Sequence, residues 1–379
     1  MSKAYQLKVL HVASGDLWAG AEVQLFTLVK TLHARSDTSV SVVLFNFGRL
    51  EQELNNAGIT VIVLDESILN GLQILRQLVH IIREQQPDVI HTHRIKENVL
   101  GSIAAFFAGR AASLRTAHGA PEHHPGWWKF HKHVLYALDR FCGRHLQRKI
   151  VAVSGDLANI LGKDFPLNKI SIIENGIDVA SICKDHPART FQEGKQAVFK
   201  VGLAGRLVPI KRVDIFIQTA LHLMSKHPDM YASFHIFGDG PLRDELEKLN
   251  QNSGTDKIVS FEGHCDDMQK KLKQLDVLLM TSDHEGLPMT LLEAMALQIP
   301  IIAHATGGIP KLLDNGASGI LVHKQDGANY ANEIYKLYNN PETGLKIAER
   351  ALQHVIQNNS ALKNADAYHD VYTEITHKY

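Results

Sequence analysis

The stretch Val277–Met295 reads VLLMTSDHEGLPMTLLEAM, and its order of residue types sets the architecture. Val277–Thr281 is nearly continuous in apolar residues rather than alternating, which suits a parallel strand buried on both faces. Gly286 permits close backbone approach or unusual dihedrals. Pro288 suits a first helical position, and Met289, Leu292 and Met295 then mark one helix face for the core. The segment is thus a strand, a tight turn and a helix N-terminus, whose free N–H groups suit an anion or sugar oxygens. Glu285 falls in the turn and Glu293 in the helix, with seven residues between them. An acid beside an anion site makes sense if it accepts hydrogen bonds from sugar hydroxyls. On spacing alone, a surface Glu followed by an ordinary helix Glu explains the pair equally well.

The same strand-to-helix unit recurs in both directions. Short apolar runs stand at Lys8–Ala13, Val40–Phe45, Val61–Leu64, Val89–His93, Ser113–His118 and Ile150–Ser154. They continue at Phe199–Ala204, Phe234–Phe237, Val259–Phe261, Val277–Thr281, Ile301–Ala303 and Ile320–Val322. Segments between them, such as Ala21–Leu32 and Leu72–Arg83, carry helical spacing. Strand–helix alternation over 379 residues predicts a doubly wound α/β architecture present twice. The segment from Asp178 to Gln196, with Pro187 and Gly194, has no clear period and reads as the linker. The expected domains are residues 1–185 and 186–360. Residues 361–379 form a terminal helix that docks through Ala367, Val371, Tyr372 and Ile375.

Lys plus Arg and Asp plus Glu both number 40, which argues against bulk nucleic-acid binding while leaving room for a local basic patch. Cys142, Cys183 and Cys265 are far apart and lack metal spacing, so they read as small buried side chains of a reducing compartment. No apolar run reaches the roughly 18 residues of a spanning helix, and no leader pattern stands at the N-terminus. The expectation is a cytosolic protein, attached at most to a membrane surface.

In open α/β sheets, ligands bind beyond the carboxyl ends of strands, and the distinctive residues cluster there. Gly205-Arg206-Leu207 with Lys211, Gly238-Asp239-Gly240-Pro241 and Gly307-Gly308-Ile309-Pro310 follow strands of the second half. Gly15-Asp16-Leu17-Trp18-Ala19-Gly20-Ala21-Glu22 and His118-Gly119 follow strands of the first, and Asn175-Gly176-Ile177-Asp178 closes it. Gly238 and Gly240 do not continue into a dinucleotide fingerprint, since Arg243 stands where a third glycine is needed. Taken jointly, these segments and the Glu285–Glu293 pair resemble the E-x7-E retaining glycosyltransferases of family 4, over essentially the whole chain. Lys311, where that family often has Glu, and Gln298, where it commonly has Gly, are departures.

The resemblance implies a GT-B fold, two Rossmann-like domains facing a central cleft, with the last helix crossing back to the first domain. It implies transfer of a hexose-type sugar from a nucleotide-diphosphate donor to a hydroxyl acceptor, with retention of configuration. Arg206 and Lys211 suit the leaving diphosphate, Arg as a planar fork and Lys as a point charge. No Asp-x-Asp pair stands at a strand end, so fixed cations replace a metal and no cofactor is expected. The catalytic set implied is His118, Arg206, Lys211 and Glu285. Donor binding falls to Gly20, Gly205, Arg206, Lys211, Gly238, Gly240, Glu285, Gly286, Leu287, Pro288 and Glu293. Within it, Glu293 holds the ribose and Glu285 the transferred sugar. His118 either exchanges a proton or hydrogen-bonds a sugar hydroxyl. A nucleotide-sugar epimerase, a phosphorylase and a silent sugar-nucleotide-binding protein remain alternatives on the same fold.

Gly15, His118, Trp127 and Trp128 mark the acceptor side. From Arg110 to Lys149, eight basic residues (Arg110, Arg115, Lys129, Lys132, Arg140, Arg144, Arg148, Lys149) face the acids Glu122 and Asp139. With the Trp pair among His123, His124, His131 and His133, they suit a lipid-linked or glycan acceptor at an anionic membrane surface. A solvated helix face with a buried Trp pair fits equally. His131 and His133 diverge on a helix, which disfavours a metal there.

Overall fold

The computed structural model describes residues 6–16, 18–109, 112–119, 130–185 and 198–376. The chain divides into two compact units, one of residues 1–176 with 361–379, the other of residues 177–360.

The first unit contains strands β1 (Leu7–Ala13), β2 (Thr38–Leu44), β3 (Thr60–Val63), β4 (Val89–His93), β5 (Ser113–Ala117), β6 (Lys149–Ala152) and β7 (Ile170–Ile172). They form one sheet in the order β3-β2-β1-β4-β5-β6-β7, parallel throughout. Val9 and Ala13 of β1 share a core with Leu25 and Leu28 of the helix Gly20–His33 and with Tyr368 and Tyr372 of the helix Ala361–Thr376. Leu10 and Val12 point the other way, toward Ile74 and Leu78 of the helix Gly71–Gln85 and Ala104 of the helix Ile95–Phe107. Burial on both faces is why the strand runs are continuous rather than alternating. β7 was not among the expected runs. Its Ile-Ser-Ile is short and half-exposed at the sheet edge, so no apolar run marks it.

The second unit contains β8 (Phe199–Ala204), β9 (Ala232–Phe237), β10 (Val259–Gly263), β11 (Val277–Met280), β12 (Ile301–His304) and β13 (Ile320–Val322). Their order is β10-β9-β8-β11-β12-β13, again all parallel. Phe216 of the helix Val213–Lys226 and Tyr330 and Ile334 of the helix Gly327–Asn339 fill the core beside Val201 and Phe234. In both sheets the order reverses between non-consecutive neighbours, β1 and β4 in one, β8 and β11 in the other. Such switch points are where ligands bind, at the carboxyl ends.

The boundary falls at Gly176–Ile177 rather than after residue 185. Ile177 bridges to Ser360, its N–H donating to the Asn359 carbonyl at 2.9 Å. The helix Val179–Asp185 then packs on the second unit, with Cys183 Sγ 3.6 Å from the Ala296 carbonyl. These contacts draw the segment into the second unit, and the helix takes up the first part of the stretch expected to be the linker. Pro187 and Gly194 lie outside the described residues. The helix Ala361–Thr376 belongs to the first unit. Asn364 fastens it, donating to the Glu174 carbonyl at 2.6 Å and accepting from Gln24 at 3.0 Å.

Among the described residues no helix is long and apolar enough to cross a membrane. The three cysteines are unpaired, Cys142 buried and the other two half-buried.

Candidate active site

In the second unit the quoted loops lock onto one another. The Gly205 N–H donates to the Phe237 carbonyl and the Leu207 N–H to the Asp239 carbonyl, both at 2.9 Å. Gly238, at φ +131°, lies so close to Gly205 that a Cβ would stand 2.0 Å from the Gly205 carbonyl oxygen. Gly307, at φ +55°, meets Glu285 the same way, a Cβ falling 1.9 Å from the Glu285 carbonyl oxygen. Only glycine tolerates both the dihedral and the approach. The Gly308 N–H donates to that same Glu285 carbonyl at 3.1 Å. Segments scattered over a hundred residues are therefore one assembly, built where β8 and β11 end.

Lys211 and Glu285 meet inside it. Lys211 Nζ stands 2.5 Å from Glu285 Oε1, both side chains largely buried. The lysine chain passes over Gly205, where a Cβ would lie 3.4 Å from its Cε. Its backbone is held just past the end of β11, where Thr281 Oγ1 donates to the Lys211 carbonyl at 2.8 Å. Arg206 is exposed, and among the described residues it makes no ion pair. Glu293 is the fifth residue of the helix Met289–Ala296. Its carboxylate accepts a long bond from Gln269 Nε2, at 3.4 Å, and burial pushes its pKa up to about 7. Pro288 proves to be the N-cap, with extended ψ of 123°, rather than the first helical residue. Gly286, Leu287 and Pro288 carry the chain from Glu285 into that helix. Gly240 packs on the backbone of Leu207.

In the first unit a pocket opens at the ends of β1 and β4, lined by Ala13, Ser14, Ala21, Glu22, Leu25, His93, Arg94 and His118. Gly15 is buried next to Ser14, and Gly20 is the first residue of the helix Gly20–His33. At the helix start the Ala19 N–H donates to Glu22 Oε2 at 3.1 Å. Arg94 pairs with Glu22 and reaches Asp16 at 3.4 Å. Its φ of +60° and ψ of 169° belong to a region normally left to glycine. Strain of that kind costs of order 1–3 kcal/mol and tends to gather at functional sites. Burial pushes the Glu22 carboxyl up, against the pull of Arg94. Glu97 is likewise raised by burial and accepts a hydrogen bond from Ser14.

Behind His118 stand three histidines that the sequence reading passed over. His11, His91 and His93 are buried on the sheet face covered by the helix Ala361–Thr376. The signal was present as His91-Thr92-His93, two histidines at strand spacing inside an apolar run. Burial holds His11 at about 3 and His118, with Arg94 adding to the effect, at about 4. It also drives His91 and His93 well below the ordinary imidazole range. Ring nitrogens of His11, His91 and His93 lie within 4.8 Å of one another, the one potential metal cluster among the described residues. Its geometry opposes that role. His91 commits Nδ1 to the Tyr372 hydroxyl at 2.7 Å and Nε2 to Thr116 Oγ1 at 2.8 Å. Its ring also stacks on His93 with centroids 4.2 Å apart, so the in-plane lone pairs of the two run side by side instead of converging.

The basic region is less exposed than expected. Arg115 is buried and donates to both carboxylate oxygens of Asp139, at 2.6 and 2.7 Å. Arg140 pairs with Asp164 at 2.8 Å and Lys149 with Glu374 at 3.2 Å. Arg144 donates to the Asp164 carbonyl at 2.8 Å. Much of the sequence-level charge is therefore compensated within the fold. Trp127, Trp128, Arg110, Glu122, His123, His124 and Lys129 lie outside the described residues, as do the side chains of His131 and Lys132.

Two family models match the chain, Glycosyltransferase Family 4 over residues 18–181 and Glycosyl transferases group 1 over residues 198–340. A similar protein is the UDP-Gal:alpha-D-GlcNAc-diphosphoundecaprenol alpha-1,3-galactosyltransferase of Escherichia coli, 25% identical over 316 residues, covering 82% of this chain and 81% of that one. Another is the poly(ribitol-phosphate) alpha-N-acetylglucosaminyltransferase of Staphylococcus aureus (strain COL), 27% identical over 187 residues, 49% of this chain and 37% of its own length. Among solved structures, HepE of Anabaena in complex with UDP-glucose superposes with a TM-score of 0.82 at 22% identity, over 97% of this chain and all of that one.

Proposed function

The chain belongs to the family 4 and group 1 glycosyltransferases and has their GT-B fold, and from that membership we propose which transfer it performs. It moves a hexose-type sugar from a nucleoside-diphosphate donor to a hydroxyl acceptor, with retention and without a metal. The observation that carries this reading is the assembly around Lys211 and Glu285, where a cation and a carboxylate sit in glycine-lined loops at the switch point of the second unit.

The chemistry follows from those groups. As the bond from sugar to diphosphate breaks, negative charge builds on the phosphate oxygens. Arg206 and Lys211 supply fixed positive charge there, which lowers the barrier because they need no reorganisation when the bond breaks. The Lys211–Glu285 pair is then the resting arrangement. Phosphate takes over the ammonium, and Glu285 turns to hydroxyls of the sugar. Glu293 accepts from the ribose hydroxyls. The sugar passes through an oxocarbenium-like state, and the acceptor hydroxyl attacks the face that the diphosphate leaves.

Uridine is the base to test first, given the named donors of the relative and of the solved structure. Both relatives are named for phosphate-bearing acceptors, and Arg94 and His118 supply polar groups for such an acceptor in the first unit. Exposed Phe106, Phe107, Val134, Leu138 and Phe141, on the helices Ile95–Phe107 and Phe130–Phe141, favour an acceptor presented at a membrane. Flotation with anionic vesicles checks that part, and absence of binding at low salt would point to a soluble acceptor.

The deciding experiment is a thermal-shift series with uridine, guanosine and adenosine diphosphates and their sugars. A true ligand at a hundredfold its Kd adds about 2.7 kcal/mol. Transfer is then assayed in chelator, and the anomeric configuration of the product is read by NMR. Loss of activity in chelator, restored by Mg²⁺ or Mn²⁺, or an inverted product would overturn the respective part of the proposal.

A further inference from the structure

The loop that carries Glu285 hangs on its neighbours by its carbonyls. The parallel ladder between β11 and β12 ends at Met280 and Ala303. Beyond it, the backbone N–H groups leaving β12 are engaged elsewhere, Ala305 with the Val322 carbonyl at 3.0 Å and Thr306 with the His304 carbonyl at 2.8 Å. Side chains take over the pairing. His304 Nδ1 stands 2.9 Å from the Ser282 carbonyl, and Thr306 Oγ1 donates to the Asp283 carbonyl at 2.8 Å. A carbonyl only accepts, so His304 Nδ1 carries its proton. From β13 and beyond, the buried Tyr330 hydroxyl donates to the Met280 carbonyl at 3.1 Å, and Gln325 Nε2 to the Thr281 carbonyl at 2.7 Å. With the Gly308 bond to Glu285, every carbonyl from Met280 to Asp283, and that of Glu285 itself, is held from outside the loop.

Lys211 has its own fastening on the strand side of this series. Besides the bond from Thr281 to its carbonyl, the Asp283 N–H donates to the Ile210 carbonyl at 2.8 Å, and Arg212 Nη1 to Asp283 Oδ1 at 3.1 Å. The two site-bearing segments are thus stitched together, but their side chains depend on different bonds.

That difference matters once a donor binds. At rest the Lys211 ammonium fixes the Glu285 carboxylate directly. A phosphate that claims the ammonium removes this hold, and the carboxylate is then placed only by its backbone. A binding group has to stay within about 0.5 Å of its productive position, which supporting hydrogen bonds provide. The bonds nearest to Glu285 that come from side chains are those of His304 and Thr306.

We propose that His304 and Thr306 are positioning residues for Glu285, holding the Ser282 and Asp283 carbonyls so that its carboxylate meets the hydroxyls of the transferred sugar, and that they govern affinity for the sugar part of the donor rather than for the nucleotide. This rests on the reading of Glu285 as the group that faces the sugar.

The test compares variants that remove a donor with variants that keep it. Thr306→Val is nearly isosteric and loses the hydroxyl, and Thr306→Ser retains it. His304→Leu loses the N–H, and His304→Asn keeps one on the same side-chain carbon. The probes are UDP and whichever of UDP-glucose, UDP-galactose and UDP-N-acetylglucosamine binds the wild-type protein most tightly, both titrated by calorimetry after a melt shows each variant folded. Thr306→Val and His304→Leu should weaken the UDP-sugar about tenfold, the scale of one lost charge-assisted bond, and leave UDP within about twofold. Thr306→Ser and His304→Asn should recover most of the loss. Thr306→Val keeps the test open if His304→Leu fails to fold.

UDP-sugar affinity like wild type in the folded Val or Leu variants overturns the proposal. So does an equal loss of UDP and UDP-sugar, which would make the two residues general supports of the unit. Glu285→Gln separates the underlying reading: if it binds both probes like wild type, or if no UDP-sugar binds the wild-type protein, the failure lies in placing Glu285 at the sugar of such a donor.

Discussion

Lys211 and Arg206 carry the same charge in different settings, and their variants should separate accordingly. Arg206 is exposed and unpaired among the described residues. Arg206→Ala should therefore leave stability within about 0.5 kcal/mol of wild type. It should still weaken diphosphate binding by about 10- to 100-fold, the scale of a lost charge-assisted bond. Lys211→Ala should weaken binding similarly and also lower the melting temperature, because it leaves the largely buried Glu285 without its cation. Calorimetric titration and a melt on each variant check both, and a Lys211 variant binding the diphosphate like wild type would end the phosphate assignment. Glu293 makes a second residue-scale prediction. Burial raises its pKa to about 7, while ribose hydroxyls donate more strongly to the ionised form than to the neutral one. Binding then releases a proton, and nucleotide affinity should rise with pH through about 7. Glu293→Gln should bind more weakly and lose that pH dependence. Titration across pH in buffers of differing ionisation enthalpy reads both effects, and a flat wild-type profile would count against Glu293 as the ribose ligand.

At the scale of elements, the end of the helix Met289–Ala296 explains one departure from the family pattern. Gln298 adopts φ +55°. The Ile299 N–H donates to the Ala294 carbonyl at 2.9 Å and the Gln298 N–H to the Met295 carbonyl at 3.2 Å. This is a Schellman cap, with Gln298 at the left-handed position where glycine is strongly preferred. A side chain there costs roughly 1 kcal/mol. Gln298→Gly should therefore hold or raise the melting temperature even though glycine is more flexible when unfolded, and it should leave transfer unchanged. Clear destabilisation would mean that the Gln298 side chain contributes contacts worth more than the strain. The same element shows why Glu285 and Glu293 differ in character. One sits in a turn, clasped by Lys211 and locked by Gly307, while the other sits in a buried helix with Gln269 as its only hydrogen-bond donor among the described residues.

At the scale of the whole molecule, the two units should answer acid in opposite senses. In the first, His11 and His118 have folded pKa values near 3 and 4, below the usual 6.5. The unfolded chain binds more protons there, so stability falls as pH drops below about 6.5. Between about pH 7.5 and 5.5 each such histidine removes roughly 1 kcal/mol. In the second unit, Glu293 has its pKa raised from 4.5 to about 7. Its folded form binds the extra proton, so stability rises as pH falls from about 7 toward 4.5, by about 2 kcal/mol over the same interval. Scanning calorimetry should show the nucleotide-sensitive transition holding or rising on acidification while the other falls. Glu293→Gln should abolish the first trend only, and a joint fall of both transitions would contradict the assignment.

The repeated doubly wound architecture was legible because two-sided burial leaves a local mark, apolar runs such as Val277–Met280 set between helical stretches. The strand-end positions of Arg206, Glu285 and His118 were legible for the same reason, since each stands at the end of such a run or within a few residues of it. β7 escaped because a half-exposed edge strand of three residues bears no such mark. The division at Ile177 escaped because it depends on a bridge to Ser360, far away in the chain. Spacing likewise offered Lys211 and Glu285 as separate ligands, and Arg115 as surface charge. Only the folded chain pairs Lys211 with Glu285, buries Arg115 on Asp139 and lines up His11, His93 and His118. The physical reason is range. Periodicity records which face of its own element a side chain occupies. The partner it meets there is chosen by strand order and register, which bring distant segments side by side and leave no trace in local spacing.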